Sequence, residues 1–412
     1  MRASLLSIGD ELLSGFILNS NARYLAQMLT QQGFDVHTHL TVGDETDDIV
    51  TAYHELAADN QLVLVTGGLG PTHDDKTQEA SARALGVESR IDEASLSRLQ
   101  EFFTRRKRPM KDIHKRMATF PVGATVVPNP VGAADGFTFM LSGCQFLCMP
   151  GVPVEMRAVS GNFMEHFLQY PQERFYNGQA IISLCGIPES EVARRIAHLL
   201  EGEDYRIGLL PNDAAVRIRV ASRTRAGQQE ADRIAASVME LILPCFAPED
   251  IFSMENEALE VVLLKELQRQ QLSLALAESC TGGKIADQLI AVPGASATLL
   301  FGGVFYSNQS KVELLGVAEQ TLVDHGAVSE STAREMVDGV CRIARTHCGI
   351  SVTGIAGPEG GTEEKPVGTV YIGTRVKDCV EVQRYLHSGN RELIRQRAVQ
   401  AGLFQLLRMV RR

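Results

Sequence analysis

Short apolar runs that end abruptly in glycine recur along this chain, and they limit the possible folds more than any other feature. The run at residues 3–8 stops at Gly9-Asp10-Glu11, the run at 62–65 stops at Thr66-Gly67-Gly68, and another ends at Met149 before Pro150-Gly151. Between them lie stretches with helical spacing. Leu25, Met28 and Leu29 follow a capping Asn19 or Ser20, and a second stretch runs from Thr46 or Asp47 through Leu56. Residues 34–42 supply a further strand. Apolar strands alternating with helices predict βαβ units and a mostly parallel sheet. Such sheets bind ligands beyond the carboxyl ends of their strands, so the loops after Ile8, Val65 and Met149 are the expected site.

The alternation breaks at P-Q-E-R-F-Y-N-G, residues 171–178, and again near 244–256. Between the breaks, strands at 180–184 and 215–220 and helices at 190–200 and 227–243 make a small α+β module. After 257 the alternation returns. A chain of 412 residues exceeds one typical core, and the expected domains are 1–170, 171–250 and 251–412.

A net charge of -10, from 40 Lys and Arg against 50 Asp and Glu, argues against a general nucleic-acid binder. The basic run R-R-K-R-P-M-K-D-I-H-K-R at 105–116 has no interleaved aromatics to stack bases and reads as a solvated helix face. The V-R-I-R-V strand of the middle module has one wet face and no G-x-x-G loop nearby, which favours a spacer or dimer-forming role. The eight cysteines show no metal-ligand spacing and read as reduced thiols. Charge appears by position 10, too early for a signal-peptide core, and no apolar run approaches the roughly 18–20 residues of a membrane span. These features predict a cytoplasmic protein with no membrane partner.

Two sets of loops can carry chemistry. The first is centred on T-G-G-L-G-P-T-H-D-D-K-T at 66–77. Gly67, Gly68 and Gly70 let backbone amides form an anion-binding nest, and Thr72 and Thr77 add hydroxyls. Asp74 and Asp75, with Asp10 from the first loop, are hard oxygen ligands suited to a cation that bridges phosphates. N-P-V-G-A-A-D-G-F, with Asn129 and Gly132, and M-P-G-V-P-V-E-M, with Gly151 and Glu155, are placed to close the same pocket.

The second set begins with A-E-S-C-T-G-G-K at 277–284, a strand-to-helix turn offering Ser279, Cys280 and Thr281 as nucleophiles ahead of Gly282 and Gly283. Amides and the positive end of a helix dipole collect at such a turn. A hydroxyl still needs a base, and no histidine lies close in sequence. F-G-G-V-F-Y-S-N-Q-S-K at 301–311 offers Tyr306, Asn308 and Lys311, and a desolvated lysine can act as that base. S-V-T-G-I-A-G-P at 351–358 brings Thr353 and Gly354 on another strand that ends in glycine. Arg391 and Arg395, one helical turn apart, suit a phosphate.

Taken together, S-I-G-D-E-L-L-S-G, T-G-G-L-G-P-T-H-D-D, N-P-V-G, P-G-V-P-x-E-M, A-E-S-C-T-G-G, Y-S-N-Q-S-K, H-G-A-V-S, V-T-G-I-A-G-P and K-P-V-G-T-V resemble the CinA family of competence/damage-inducible proteins along essentially the whole chain. The resemblance implies an α/β fold with three parts. The first is an N-terminal MogA/MoaB-like three-layer domain with a mostly parallel sheet, followed by a small KH-like α+β module and a C-terminal α/β CinA domain. It further implies two activities. One is ADP-ribose pyrophosphatase activity in the N-terminal domain, dependent on a divalent metal (Mg²⁺, Co²⁺ or Mn²⁺) and assisted by K⁺ in some members. The other is nicotinamide-nucleotide deamidase activity in the C-terminal domain, with no cofactor, converting nicotinamide mononucleotide to the nicotinate form and ammonia.

The family's functional serine, tyrosine, lysine and threonine fall on Ser279, Tyr306, Lys311 and Thr353. Thr281, Gly282, Gly283, Asn308, Gly354, Arg391 and Arg395 surround them as substrate-binding residues. A homodimer is expected from the same resemblance, and no nucleic-acid partner. The chain departs from the family at Ala133 and Asp135, where Thr and Pro are usual, and a usual Asn and Gln are missing before Pro121. Two other readings are a molybdopterin-binding or adenylating N-terminal module and a non-catalytic interaction protein for competence and repair machinery.

Overall fold

A computed structural model of the chain describes residues 1–168, 175–200, 202–212 and 215–412. Residues 171–174 of the first expected break, with the boundary placed there, lie outside the described residues. The chain divides into two compact units, Met1–Asn177 with Arg223–Ala231, and Gly178–Ser222 with Asp232–Arg412.

The first unit is built on a six-stranded sheet in the order Asp35–Val42, Arg2–Ile8, Leu62–Thr66, Cys144–Met149, Gly136–Leu141, Thr125–Val127. The first three pairings are parallel and the last two antiparallel, so the sheet is mostly parallel. Both faces are covered. One packs Leu5 and Leu62 with Leu25 and Phe163, and the other packs Leu6 and Val63 with Ile49, Tyr53 and Phe146. This explains why Leu62–Thr66 is buried along its whole length and shows no polar alternation. The helix Ser20–Gln31 is capped by Asn19, whose side chain accepts the Ala22 amide. Ser7 pairs with Thr66, and Thr66 with Met149, so three strands finish level and their loops emerge at one rim.

The basic run is not a helix face. The helix Glu93–Arg105 ends where the run begins, and Asp112–Ala118 is a 3₁₀ segment. Pro109 lacks an amide hydrogen and disfavours helix just before it.

In the second unit, a four-stranded sheet has the order Tyr205–Asn212, Ala215–Thr224, Tyr176–Cys185, Ile251–Ser253. The edge strand Tyr205–Asn212 was hidden in the sequence because Gly208 and Pro211 interrupt it, and edges tolerate both. Ile251–Ser253 pairs antiparallel with Tyr176–Cys185. Cys185 and Phe252 pack in one cluster with Leu263, Ile350 and Phe404, so the middle and final segments share a core. The second sheet runs Leu299–Val304, Leu274–Glu278, Cys348–Gly354, Thr369–Val376, Cys379–Leu386. Its first two pairings are parallel. Leu274–Glu278 is wholly buried and delivers its carboxyl end to the next turn.

Candidate functional site

The turn after Leu274–Glu278 is held on both sides. The Ser279 amide donates to the Val352 carbonyl (3.0 Å) and the Gly282 amide to the Ser279 carbonyl (3.1 Å). Gly282 and Gly283 have φ of 63° and 90°, a left-handed conformation that a side chain would strain. The helix Lys284–Ile290 starts there, and Glu278 caps it. One carboxylate oxygen of Glu278 accepts the amides of Gly283 (3.0 Å) and Ile285 (3.1 Å), and the other accepts that of Ala286 (2.9 Å). Glu278 is a functional residue that the glycine and nucleophile motifs do not mark. Its signal was an acid at the end of a buried strand, directly ahead of a glycine turn and a helix.

Lys311 lies in the helix Asn308–Leu315, whose N-cap Ser307 accepts the Ser310 amide. Its side chain is 1% exposed. Nζ donates to the carbonyls of Phe305 (2.9 Å) and Tyr306 (3.2 Å) and lies 3.3 Å from Ser279 Oγ. Burial pushes its pKa below the ordinary lysine value of 10.5, opposed by charge on Cys280. A neutral amine has two hydrogens for the two carbonyls, and its lone pair is then left for the Ser279 hydroxyl.

Cys280 is buried, and that burial pushes its thiol up to about 12, which keeps it a thiol at neutral pH. A Cβ on Gly354 would come 3.1 Å from Cys280 Sγ, so glycine there makes room for the thiol. Thr353 is also buried, and its hydroxyl donates to the Ala327 carbonyl (2.7 Å). Thr281 is fully buried, with a hydroxyl that has no partner among the described residues. Tyr306 is 65% exposed at the rim, and Asn308 is exposed beside it. Arg391 donates to the Gly357 carbonyl (2.6 Å) and the Tyr306 hydroxyl (3.5 Å). Arg395 is engaged elsewhere. Its Nε and Nη2 donate to the carbonyls of Cys280 (3.0 Å) and Thr281 (2.8 Å), and Nη1 donates to Glu392 (3.2 Å).

In the first unit the three level loops line a cavity of about 560 Å³. Gly67, Gly68, Gly70, Asp74, Asp75, Gly151 and Glu155 line it, with Glu11, Asn21 and Asp44 beside them. Asp10, Thr72, Thr77, Asn129 and Gly132 are not part of that lining, and Asp10 and Thr72 are exposed. Thr77 Oγ1 donates to the Gly67 carbonyl (2.8 Å), which shapes the nest from behind. Asn129 Nδ2 donates to Glu155 Oε2 (2.8 Å), and its Oδ1 accepts the Gly132 amide (3.0 Å).

Asp75 is occupied within its own loop. Its carboxylate accepts the Gly70 amide (2.7 Å), the Thr72 amide (2.8 Å) and the Thr72 hydroxyl (2.5 Å). Arg116, from the basic run, donates to the Asp75 carbonyl (3.0 Å). Asp10 instead faces Asp44, which lies outside the motifs, and each amide donates to the other's carboxylate (3.1 and 3.3 Å). Burial raises the Asp44 pKa, the Asp10 amide opposes this, and the charges of Asp10, Glu11 and Asp74 add to the rise.

Asp135 explains one departure from the family pattern. Its buried carboxylate accepts Ser95 Oγ (2.7 Å), Arg98 Nε (3.0 Å) and Nη2 (2.6 Å), and the Asn129 amide (2.8 Å). It ties the Asn129 loop to the helix Glu93–Arg105.

Crowded carboxylates at a phosphate-sized nest fit a hard divalent cation in donor type. Among the described residues, however, no three His, Cys, Asp or Glu side chains converge as a ready ligand set. Asp10 and Asp44 therefore fit a cation that completes its shell with substrate oxygens, whereas Asp75 does not fit as a ligand.

A family model described as the CinA C-terminal domain matches residues 256–410, one described as a probable molybdopterin binding domain matches 4–170, and one described as the damage-inducible protein CinA KH domain matches 179–247. A CinA-like protein of Desulfosudis oleivorans is 40% identical over 389 residues, covering 92% of each chain. Another, from a Geobacter species, is 40% identical over 400 residues, covering 96% of this chain and 94% of its own. Among solved structures, the competence/damage inducible protein CihA of Agrobacterium tumefaciens is 36% identical, covering 37% of this chain and 94% of its own at a TM-score of 0.36. Among the described residues no helix is long and apolar enough to cross a membrane.

Proposed function

The chain belongs to the CinA family, and on that footing we propose that its C-terminal domain deamidates nicotinamide mononucleotide by a serine–lysine mechanism. The observation that carries the reading is the buried Lys311 amine 3.3 Å from Ser279 Oγ. Ser279 Oγ attacks the carboxamide carbon while Lys311 takes its proton. The ammonium so formed, with Tyr306 at the rim, returns the proton to the departing ammonia. Water activated by the same amine then cleaves the ester to give nicotinate mononucleotide. Amides at Cys280 and Thr281 in the turn hold the oxyanion, and Arg391, at the mouth, meets the substrate phosphate. Ammonia release from nicotinamide mononucleotide by the full chain and by Ser279→Ala tests the reading, since equal rates would sink it.

For the N-terminal domain we propose hydrolysis of ADP-ribose to AMP and ribose 5-phosphate. The amides of Gly68 and Leu69 bind the pyrophosphate, those of Gly67 and Gly70 being held by the Met149 carbonyl and the Asp75 carboxylate, and Asn129 and Glu155 form the far wall. A divalent cation, with K⁺ as auxiliary, would sit at Asp10 and Asp44 and supply Lewis-acid stabilisation and water activation when bound. The match to a molybdopterin-binding model supports a second reading, a molybdopterin-binding or adenylating module. Incubation with ADP-ribose, and separately with molybdopterin plus ATP, distinguishes the two by which substrate is consumed.

A further inference from the structure

We propose that Arg395 is a positioning residue that fixes the oxyanion-binding amide of the Ser279 turn, and is not a contact to the substrate phosphate. The proposal rests on the serine–lysine reading of this site. Within the turn, the amides of Ser279, Gly282 and Gly283 are already taken, by the Val352 carbonyl, the Ser279 carbonyl and the Glu278 carboxylate. Among the described residues, the Cys280 amide meets only its own sulfur, and nothing accepts the Thr281 amide. The Thr281 amide is the free donor for a developing oxyanion, with that of Cys280 beside it.

The carbonyl side of the same turn shows why the Thr281 amide stays free. Arg395 Nε donates to the Cys280 carbonyl and Nη2 to the Thr281 carbonyl, at 3.0 and 2.8 Å. The Cys280 carbonyl and the Thr281 amide belong to one planar trans peptide, so they point in opposite directions. A rigid guanidinium fork that holds the carbonyl therefore sets the direction of the N–H as well. A cation on the oxygen side also polarises the peptide and makes its N–H a stronger donor.

Two neighbours complete the arrangement. A Cβ on Gly282 would lie 3.2 Å from Arg395 Nη2, so glycine lets the fork close on the turn. Glu392 takes Nη1, so every nitrogen of the guanidinium already has a protein acceptor. Arg391, with a hydrogen bond to Tyr306 at the exposed rim, is the arginine left to meet a phosphate.

The test compares full-length Arg395→Gln and Arg395→Lys with wild type. With nicotinamide mononucleotide, kcat of Arg395→Gln falls about 10²–10³-fold, the cost of misplacing one oxyanion donor. KM, and Ki for ribose 5-phosphate, stay within about threefold, because binding is untouched. Arg395→Lys, which keeps the charge and reaches one carbonyl, recovers part of kcat. A KM and Ki that rise together with kcat intact would make Arg395 a phosphate ligand and overturn the proposal.

A second readout does not depend on the substrate assignment. A fluorophosphonate transfers its phosphonyl group to Ser279 Oγ, fluoride leaves, and Lys311 takes the serine proton. The phosphoryl oxygen then occupies the oxyanion position. Mass spectrometry should show labelling slowed in Arg395→Gln in proportion to kcat, at an unchanged melting temperature. If wild type released no ammonia yet was labelled at an Arg395-dependent rate, the substrate reading would fall and this one would stand. Labelling indifferent to Arg395 would overturn it.

Discussion

At the residue scale, the choice among three adjacent nucleophiles is decided by what each one faces. Cys280 would be the stronger nucleophile as a thiolate, but its burial beside Gly354 keeps the proton on sulfur. Ser279 faces an amine whose burial disfavours charge. Two outcomes follow from Lys311. Lys311→Met should lower kcat for ammonia release by at least about 10³-fold with little change in KM, as expected for loss of the base. The pH dependence has a definite sign. Lysine must be neutral to accept the proton, and burial lowers its pKa, so kcat/KM should rise with pH through that depressed value and then level off. Linkage gives the companion effect. The unfolded chain binds this proton below 10.5 while the folded one resists it, so stability contributed at this site falls as pH drops from 10.5 through the depressed value. A pH–rate profile with its inflection unmoved in Lys311→Met would remove lysine from that titration.

At the element scale, the turn is made by residues that do no chemistry. Glu278 satisfies three amides at the start of Lys284–Ile290 from the end of a buried strand. Glu278→Ala should cost about 1–3 kcal/mol, the range for lost caps and charged hydrogen bonds, read as a lower midpoint in urea. In the first unit, Asp135→Ala leaves Arg98 and the Asn129 amide without their acceptor and should cost about 2–4 kcal/mol. It should also weaken ADP-ribose binding, because Asn129 carries Glu155 and Gly132.

The sequence disclosed these turns unevenly, for a physical reason. Glycine motifs and apolar runs are local signals, so the strand ends, the Asn19 cap and the helix Lys284–Ile290 could be read directly. The partners of Asp135, Asp75 and Arg395 could not, because a carboxylate or guanidinium has the same sequence signature whether it binds a ligand or its own backbone. Asp75 has the sequence signature of a cation ligand, yet its carboxylate holds its own loop. Asp44 carries no local signal because its partner, Asp10, lies 34 positions away.

At the scale of the whole molecule, each candidate site draws its residues from one compact unit. Gly67 to Glu155 lie in the first, and Ser279 to Arg395 in the second. The two proposed chemistries also differ in what they require. Each phosphorus of the ADP-ribose pyrophosphate carries a negative charge shared by its non-bridging oxygens, and a cation that neutralises it lets a nucleophile approach. A carboxamide is neutral, and its oxyanion develops where amides already point. Full-length protein treated with EDTA should therefore lose AMP release from ADP-ribose and keep ammonia release from nicotinamide mononucleotide at the untreated rate. Added Mg²⁺ should restore the first activity without altering the second. Asp44→Asn should raise the Mg²⁺ concentration needed for half-maximal AMP release, whereas Asp75→Asn should lower stability more than it changes that concentration. The contrast matters because both residues are carboxylates at one rim, Asp75 committed to the amides of its own loop and Asp44 facing Asp10. If EDTA abolished both activities together, the division of metal chemistry between the units would be wrong. If it abolished neither, the cation would have no part in the N-terminal site.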